Sequence, residues 1–214
     1  MSRLHGAEVN AGPSGPGRAT GLHAVGRGVA VFMVGFVLVG ILNYLTRRLL
    51  ALELDRETYG FFYSAFALVS VIATCTGGGL ARAVSVLVPK YISLAQWDVA
   101  QSVYGFAFLL RTVAAACVGL VLYLLAPMLM VSFFSYPAGM PAFRLMVGYA
   151  CVYVLYGSVI SLLHGLRRFV TVNIAYVTQH LLLFAIAWGT VRAYGVNGVA
   201  VGLLVSCLIV GIPL

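Results

Sequence analysis

Charged side chains are scarce in this chain of 214 residues, because Asp, Glu, Lys and Arg together make up only 8% of it. An ordinary soluble domain carries roughly 25%. Hydrophobic residues account for 62% of the chain, and the mean hydropathy is +1.04. So little polar surface cannot cover a soluble globule. The composition therefore excludes a soluble enzyme or a soluble binding module and predicts an integral membrane protein.

Sequence motifs for catalysis and metal binding are also absent. The 5 acidic residues are Glu8, Glu53, Asp55, Glu57 and Asp98, and none lies inside an uncharged run. Paired carboxylates, a His-Glu-x-x-His motif and a glycine-rich phosphate loop are absent. The 4 cysteines lie far apart in apolar runs without a Cys-x-x-Cys motif, which predicts free thiols packed as small hydrophobic side chains. We therefore expect no enzymatic activity, no metal site and no cofactor.

The positive charge is spread thinly over the sequence. The 13 Lys and Arg give a net charge of +8, but the arginines are scattered between and within apolar runs and form no basic stripe. This distribution argues against nucleic acid as a partner. It favours membrane lipids with anionic headgroups, or an anionic lipid-linked substrate.

Uncharged runs long enough to cross a bilayer, which takes about 20 apolar residues, fill most of the chain. We predict an all-α, polytopic membrane helix bundle, in which short connections make sequential helices antiparallel neighbours. The predicted spans, six in number, cover about residues 28–46, 59 to the 80s, 99–125, 143–163, 172–193 and 198 onward. The last run is still apolar at Leu214, so we expect the sixth helix to be unfinished.

The N-terminal segment, residues 1–25, is rich in Gly, Pro, Ala and Ser, which predicts a disordered tail ahead of the membrane domain of residues 26–214. Orientation follows from Lys and Arg near the span ends, which are enriched on the cytoplasmic side. The side of the N-terminus holds six: Arg3, Arg18, Arg27, Lys90, Arg167 and Arg168. The opposite side holds five: Arg47, Arg48, Arg56, Arg144 and Arg192. The difference of one favours a cytoplasmic N-terminus in a multi-pass protein of the cell (plasma or inner) membrane.

Two arginines are predicted to lie within spans, Arg82 in the second and Arg111 in the middle of the third. A charge at the bilayer centre costs about 2.5–3.5 kcal/mol on insertion scales, so such residues usually face a bundle interior or a water-filled cavity. With no acidic residue in any span, either guanidinium could receive a phosphate, which it matches bidentately. Snorkelling to the interface is the alternative, and it is easier for Arg82. Four small or hydroxylated residues share a helix face with Arg82, which indicates either a hydrated face or a packing surface. They are Ser70, Thr74, Gly78 and Ser85.

Further candidate substrate-binding residues lie on three other spans. In the first span, Arg47 and Arg48 could face the mouth of a cavity or snorkel to the interface. In the fourth, Tyr153 and Tyr156 share a face and could bind a sugar, although an aromatic stripe is more often a packing feature. In the fifth, His180 is either a hydrogen-bonded structural residue or a proton carrier.

An intramembrane serine protease is the enzymatic alternative. It would need a serine in a Gly-x-Ser-Gly setting and a histidine on another helix. The nearest match is Ser158 with His180, but Val159 stands where the second glycine is needed.

Three segments resemble the polysaccharide biosynthesis (O-antigen type) flippases. RRLLALELDRETYGFF, residues 47–62, is similar to their entrance into the second helix, with Leu54-Asp55-Arg56 in place of the usual Gly-Pro before an acid. GGGLARAVSVLVPKYISLAQWDVAQS, residues 77–102, resembles their connection to the third helix. LLHGLRRFVTVNIAYV, residues 162–177, resembles their turn between the fourth and fifth helices. The resemblance extends from about residue 28 to residue 214.

The resemblance implies membership of the multidrug/oligosaccharidyl-lipid/polysaccharide exporter superfamily. It implies one half of a twelve- to fourteen-helix exporter, in which two six-helix halves surround a cavity and work by alternating access. The implied substrate is a polyprenyl-pyrophosphate-linked oligosaccharide, held by cationic residues such as Arg82, which lies in a matching motif. The implied partner is a C-terminal half or a second copy. There are two alternatives. One is a drug or small-metabolite exporter of the same superfamily, and the other is a complete six-span protein of structural or enzymatic role.

Overall fold

The computed structural model describes residues 17–212, with side chains from residue 32 onward. Within these residues the chain forms long α-helices and no strand. The helices are α1 (Gly17–Glu53), α2 (Arg56–Ser93), α3 (Trp97–Met128), α4 (Met140–Gly165) and α5 (Phe169–Gly211). A π-helical turn, Leu129–Phe133, and a 3-10 turn, Pro137–Gly139, connect α3 to α4. The described residues contain 5 helices long and apolar enough to cross a membrane, which confirms the predicted all-α polytopic bundle.

The sixth predicted span corresponds to the second part of α5. Gly195 has φ 55° and ψ −136°, a combination that glycine adopts far more readily than other residues. In a straight helix, Leu183 and Gly202 would lie about 28 Å apart, yet a Cβ on Gly202 would be 3.5 Å from Leu183 Cδ1. The first arm of α5 (169–194) and its second arm (196–211) therefore pack against each other as a helical hairpin. The break lies in the Tyr-Gly-Val-Asn-Gly segment that separates the fifth and sixth predicted spans.

Local sequence explains where α2 begins. The Asp55 side chain accepts a hydrogen bond of 3.1 Å from the backbone N–H of Thr58, which satisfies one free donor of the first helical turn. Glu57 adds a negative charge near the positive end of the helix dipole. Hydrogen bonds from Thr58, first from its side chain and then from its backbone, hold the pKa of the Asp55 carboxyl below its ordinary value.

Three helix boundaries differ from those expected. Helix α2 continues past Pro89 to Ser93, and α3 includes Pro127, so both helices run beyond the predicted spans, which stopped in the 80s and at about residue 125. Membrane helices tolerate proline where neighbouring groups satisfy the freed backbone atoms, and Pro89 packs closely on Gly165 at the end of α4. Helix α1 begins at Gly17, inside the segment expected to be a disordered tail, and residues 1–16 lie outside the described residues.

The helices form two groups joined by α4 and α5. Helices α2, α3 and α4 contact one another, whereas α1 packs mainly on α5. Gly35 allows α1 to approach Asn173 of α5, whose Cγ is 2.6 Å from the position of a Cβ on that glycine. Arg192 donates to Glu53 Oε1 at 2.7 Å and ties the turn of α5 to the end of α1. Helices α1 and α2 make few contacts with each other. Between them and α5 lies a small cavity, lined among others by Arg47, Tyr63 and Phe66, and we call it the cleft.

Large hydrophobic side chains cover the outside of the bundle. Phe36 on α1, Leu124 on α3 and Trp188 on α5 are among many that are exposed. Apolar patches of this extent are rare on soluble monomers and are expected on helices that face lipid tails. The described residues thus have the surface of a multi-pass membrane protein.

Candidate functional site

Arg111 lies midway along α3 and is buried, with only 4% of its surface exposed. Its guanidinium reaches between α2 and α4, where Nη2 is 2.7 Å from the position of a Cβ on Gly77 and 3.2 Å from that of a Cβ on Gly157. A side chain at position 77 would compete for the space that the guanidinium fills. Two glycines on separate helices therefore make room for one cation in the middle of the bundle.

The Arg111 guanidinium has no acidic partner within the described part of the chain. Its Nε and Nη1 atoms are buried and make no hydrogen bond. Among the described residues an ion pair joins Glu53 to Arg192, and Arg111 takes no part in it. A buried charge carries a desolvation penalty of several kcal/mol, and unpaired buried donors commonly mark the place of an ion or a water. The geometry is suited to receiving an anion.

Arg82 lies on an exposed face of α2 and forms no ion pair within the described residues. The small and hydroxylated residues on its face are exposed or half-buried: Ser70, Thr74, Gly78 and Ser85. The Thr74 hydroxyl donates to the Ser70 carbonyl at 2.8 Å, so its own helix satisfies it. One turn before Ser70, Phe66 lines the cleft, and its ring lies 6.2 Å from that of Tyr149 on α4.

The structure separates the two arginines at the end of the first span. The Arg47 guanidinium lies over the ring of Tyr63, 5.5 Å from its centroid, in a cation–π contact. Arg47 also lines a cavity of about 60 Å³ between α1, α2 and α5, together with Asn43 and Thr46. Arg48 is exposed and forms no ion pair or cation–π contact within the described residues. Of the two arginines, Arg47 is the one that borders the cleft.

Aromatic side chains form a continuous row from this cavity into the bundle. Neighbouring ring centroids lie 5.2–6.2 Å apart, within the range of favourable aromatic pairs. In order, the row consists of Tyr63, Phe62, Phe66, Tyr149, Tyr153, Tyr156 and Tyr176. Tyr153 is 36% exposed, whereas Tyr156 is 3% exposed and its hydroxyl has no hydrogen-bond partner. The candidate tyrosines of α4 thus belong to one cluster.

His180 and Ser158 are each engaged by their own helices. His180 Nδ1 lies 2.8 Å from the Tyr176 carbonyl oxygen, one turn earlier on α5. The Ser158 hydroxyl is buried and donates to the Val154 carbonyl at 3.3 Å. No hydrogen bond joins Ser158 to His180 in the described part of the chain, so the nucleophile–base pair of a serine protease is not formed here.

The sequence did not predict that Gly77, one of the three consecutive glycines 77–79, and Gly157 enclose the Arg111 guanidinium. The predicted polar face contained Gly78, but Gly77 is the member of the glycine triplet that faces Arg111. These glycines could have been identified by their depth, because each lies on another span at about the same membrane depth as the intramembrane arginine.

No known family model matches the chain. Over 101 residues, 47% of this chain, it is 28% identical to the uncharacterized membrane protein MJ1068 of Methanocaldococcus jannaschii, and the match covers 20% of that protein.

Solved structures show the same fold. A multidrug resistance MATE family transporter of the MOP superfamily, in an outward-facing conformation, matches 86% of this chain with a TM-score of 0.72 and 17% identity. A MOP superfamily transporter from Pyrococcus furiosus, described by a binding pocket of reverse polarity, also matches 86% with a TM-score of 0.72 and 16% identity. The chain covers 42% and 41% of these two structures, less than half of each. The prediction that it resembles one half of an exporter is confirmed at the level of the fold.

Proposed function

We propose that this chain forms one half of an alternating-access transporter that moves polyprenyl-pyrophosphate-linked oligosaccharides across the plasma or inner membrane. The second half of the cavity would come from a C-terminal half or a second copy of the chain. The observation that carries the proposal is the unpaired guanidinium of Arg111, buried midway along α3. A charge placed there at such a cost is expected to bind a partner of opposite charge.

The distribution of acids supports an anionic substrate. Glu53, Asp55, Glu57 and Asp98 all lie in the first or last turn of a described helix or next to it, so no carboxylate among the described residues shares the bundle interior with Arg111. A transporter that exchanges cationic drugs for protons or sodium usually needs an intramembrane carboxylate to bind them. A pyrophosphate brings the negative charge that this interior lacks, and a guanidinium can bind its oxygens bidentately.

Access to Arg111 requires the helices around it to separate. In the described conformation Gly77 and Gly157 hold α2 and α4 close to the guanidinium. The glycine triplet 77–79 weakens α2 at that level, since each glycine costs a helix about 1 kcal/mol relative to alanine. Bending of α2 during the exchange between inward- and outward-open states would expose Arg111 to the cleft. The exposed Arg47 and Arg82, on the helices that flank the cleft, would attract the pyrophosphate before that step.

Export of drugs or small metabolites is the second candidate. It is favoured by the fold shared with the multidrug resistance MATE transporter. In the Pyrococcus furiosus neighbour, the reverse polarity of the binding pocket suggests a different function. The cationic interior of this chain favours the anionic substrate over a cationic drug.

Deletion of the gene in its own host tests the two candidates together. For a flippase, lipid-linked oligosaccharide should accumulate on the cytoplasmic side and surface glycan should fall, while efflux of a cationic dye stays normal. The wild-type gene should restore the glycan, and Arg111→Ala should not, at equal protein level. Arg56→Ala, at the start of α2, is the matched control and should restore it. Loss of dye efflux with normal surface glycan would contradict the proposal and support a drug exporter.

A further inference from the structure

The tyrosines of α4 form a cluster with an unsatisfied hydrogen-bonding group. Tyr153 lies between Tyr149 and Tyr156, with ring centroids 5.5 Å and 6.2 Å away, and Tyr156 lies 6.2 Å from Tyr176 of α5. The Tyr156 hydroxyl is buried and has no hydrogen-bond partner within the described residues. Leaving a buried hydroxyl unpaired is unfavourable, and packing alone would be served better by phenylalanine. The cluster is therefore suited to a ligand that supplies a hydrogen-bonding group.

The cluster adjoins the Arg111 site. Tyr156 precedes Gly157, the residue whose Cβ position is 3.2 Å from Arg111 Nη2. Tyr153 lies about one helical turn, or roughly 5–6 Å, from Gly157 along α4. It is also the exposed member of the cluster, with 36% of its surface accessible. A group bound on Tyr153 would thus lie next to an anion held by Arg111.

We propose that Tyr153 and Tyr156 bind the sugar ring attached directly to the pyrophosphate, while Arg111 holds the phosphate. This site rests on the proposed function, because it assumes that the anion at Arg111 is a pyrophosphate. The ligand is a pyranose, whose carbon–hydrogen face packs on an aromatic ring and whose hydroxyls donate and accept hydrogen bonds. Tyr153 offers the ring, and Tyr156 offers the hydroxyl that lacks a partner.

The arrangement predicts different roles for Tyr153 and Tyr156 in binding the sugar. Aromatic rings supply a large, rigid contact area with little loss of conformational entropy, so Tyr153 contributes affinity for many sugars. A directed hydroxyl discriminates between ligands that have and lack the matching group, so Tyr156 contributes selectivity. Removal of the sugar from the substrate should then make both tyrosines irrelevant to binding, while Arg111 remains essential.

Binding of two probes to the full gene product in lipid nanodiscs tests the site. The probes are undecaprenyl pyrophosphate and the same lipid carrying one N-acetylglucosamine. For the sugar-bearing probe, Tyr153→Ala should raise Kd about tenfold and Tyr153→Phe should leave it nearly unchanged, because stacking needs only the ring. Tyr156→Phe should raise it about three- to tenfold, since one hydrogen bond is lost. For the bare lipid, all three variants should bind like wild type.

The controls separate this site from the proposed function. Tyr194→Ala, at an exposed tyrosine beside the α5 turn, should bind both probes like wild type. Thermal melting of every variant checks that the fold is intact, and the two Tyr→Phe variants keep the packing if Tyr153→Ala does not. Equal affinity of wild type for the two probes, with binding that depends on Arg111, would overturn the sugar site and leave the flippase proposal standing. Failure of wild type to bind either probe would overturn both.

Discussion

Arg111 Nη2 lies 2.7 Å from the position that a Cβ on Gly77 would occupy, so the guanidinium on α3 and the missing side chain on α2 fit each other. This contact joins two helices in the middle of the bundle through a charge that has no acidic partner in the described chain. It makes position 77 a sensitive probe of how Arg111 is held.

Gly77→Ala should displace the flexible end of the Arg111 side chain and be less stable than Gly78→Ala by up to about 1–3 kcal/mol, the usual cost of overpacking a core. Gly78→Ala is the matched control, because a Cβ there has nothing within 4 Å and alanine favours the helix by about 1 kcal/mol. Thermal melting in detergent measures both. In an Arg111→Ala background the cost of Gly77→Ala should vanish, as expected for residues in direct contact. A cost that persists in that background would show that Arg111 is not its cause.

Arg47 and Arg48 are adjacent in sequence, and the structure predicts opposite outcomes for them. Arg47→Gln removes a cation from the cavity beside Tyr63 and should slow transport, whereas Arg48→Gln should not. Initial rates in proteoliposomes are the measurement, compared at low and at physiological salt because exposed charges are screened. Similar rates for the two variants would argue against a role of Arg47 in capturing the substrate.

Gly195→Ala should destabilise the hairpin formed by the two arms of α5. The backbone angles at Gly195, φ 55° and ψ −136°, strain any residue with a Cβ, at a cost of about 1–3 kcal/mol. Gly189→Ala, on the first arm of α5, is the control because a Cβ there meets nothing within 4 Å. Melting temperatures of the two variants compare the costs. An unstrained Gly195→Ala would mean that α5 does not turn at this residue.

The sequence predicted the helical bundle well because bilayer thickness imposes its length on every span. The break at Gly195 was also foreseeable, since a short Tyr-Gly-Val-Asn-Gly segment separates two apolar runs. The end of α2 was less predictable: the predicted span stopped in the 80s, but the helix continues through Pro89, which packs against Gly165 of α4. A sequence shows the proline but not the neighbour that accommodates it.

The candidate site was only partly predictable for the same reason. An arginine in mid-span with no nearby acid indicated an unusual charge, but it left interior and snorkelling positions open. Burial of Arg111 depends on Gly77 and Gly157, which come from two other helices and lie far from it in sequence. Helical spacing in the sequence identified the exposed face of α2 that carries Gly78. It could not show that the adjacent Gly77 faces Arg111 instead. The continuous aromatic row likewise requires Phe66 of α2 to meet Tyr149 of α4.

The most direct measurement is transport and thermal melting of Arg111→Met side by side. Methionine is an unbranched apolar side chain without the charge. Replacing a whole buried ion pair by hydrophobic residues is often neutral or stabilising by about 1–4 kcal/mol, and an unpaired charge loses no ion-pair attraction when it is replaced. If Arg111 binds the pyrophosphate, the melting temperature should stay the same or rise. Transport should fall about 10- to 100-fold, because a hydrogen bond to a charged group is lost. Normal transport of lipid-linked oligosaccharide by a well-folded Arg111→Met protein would contradict the account.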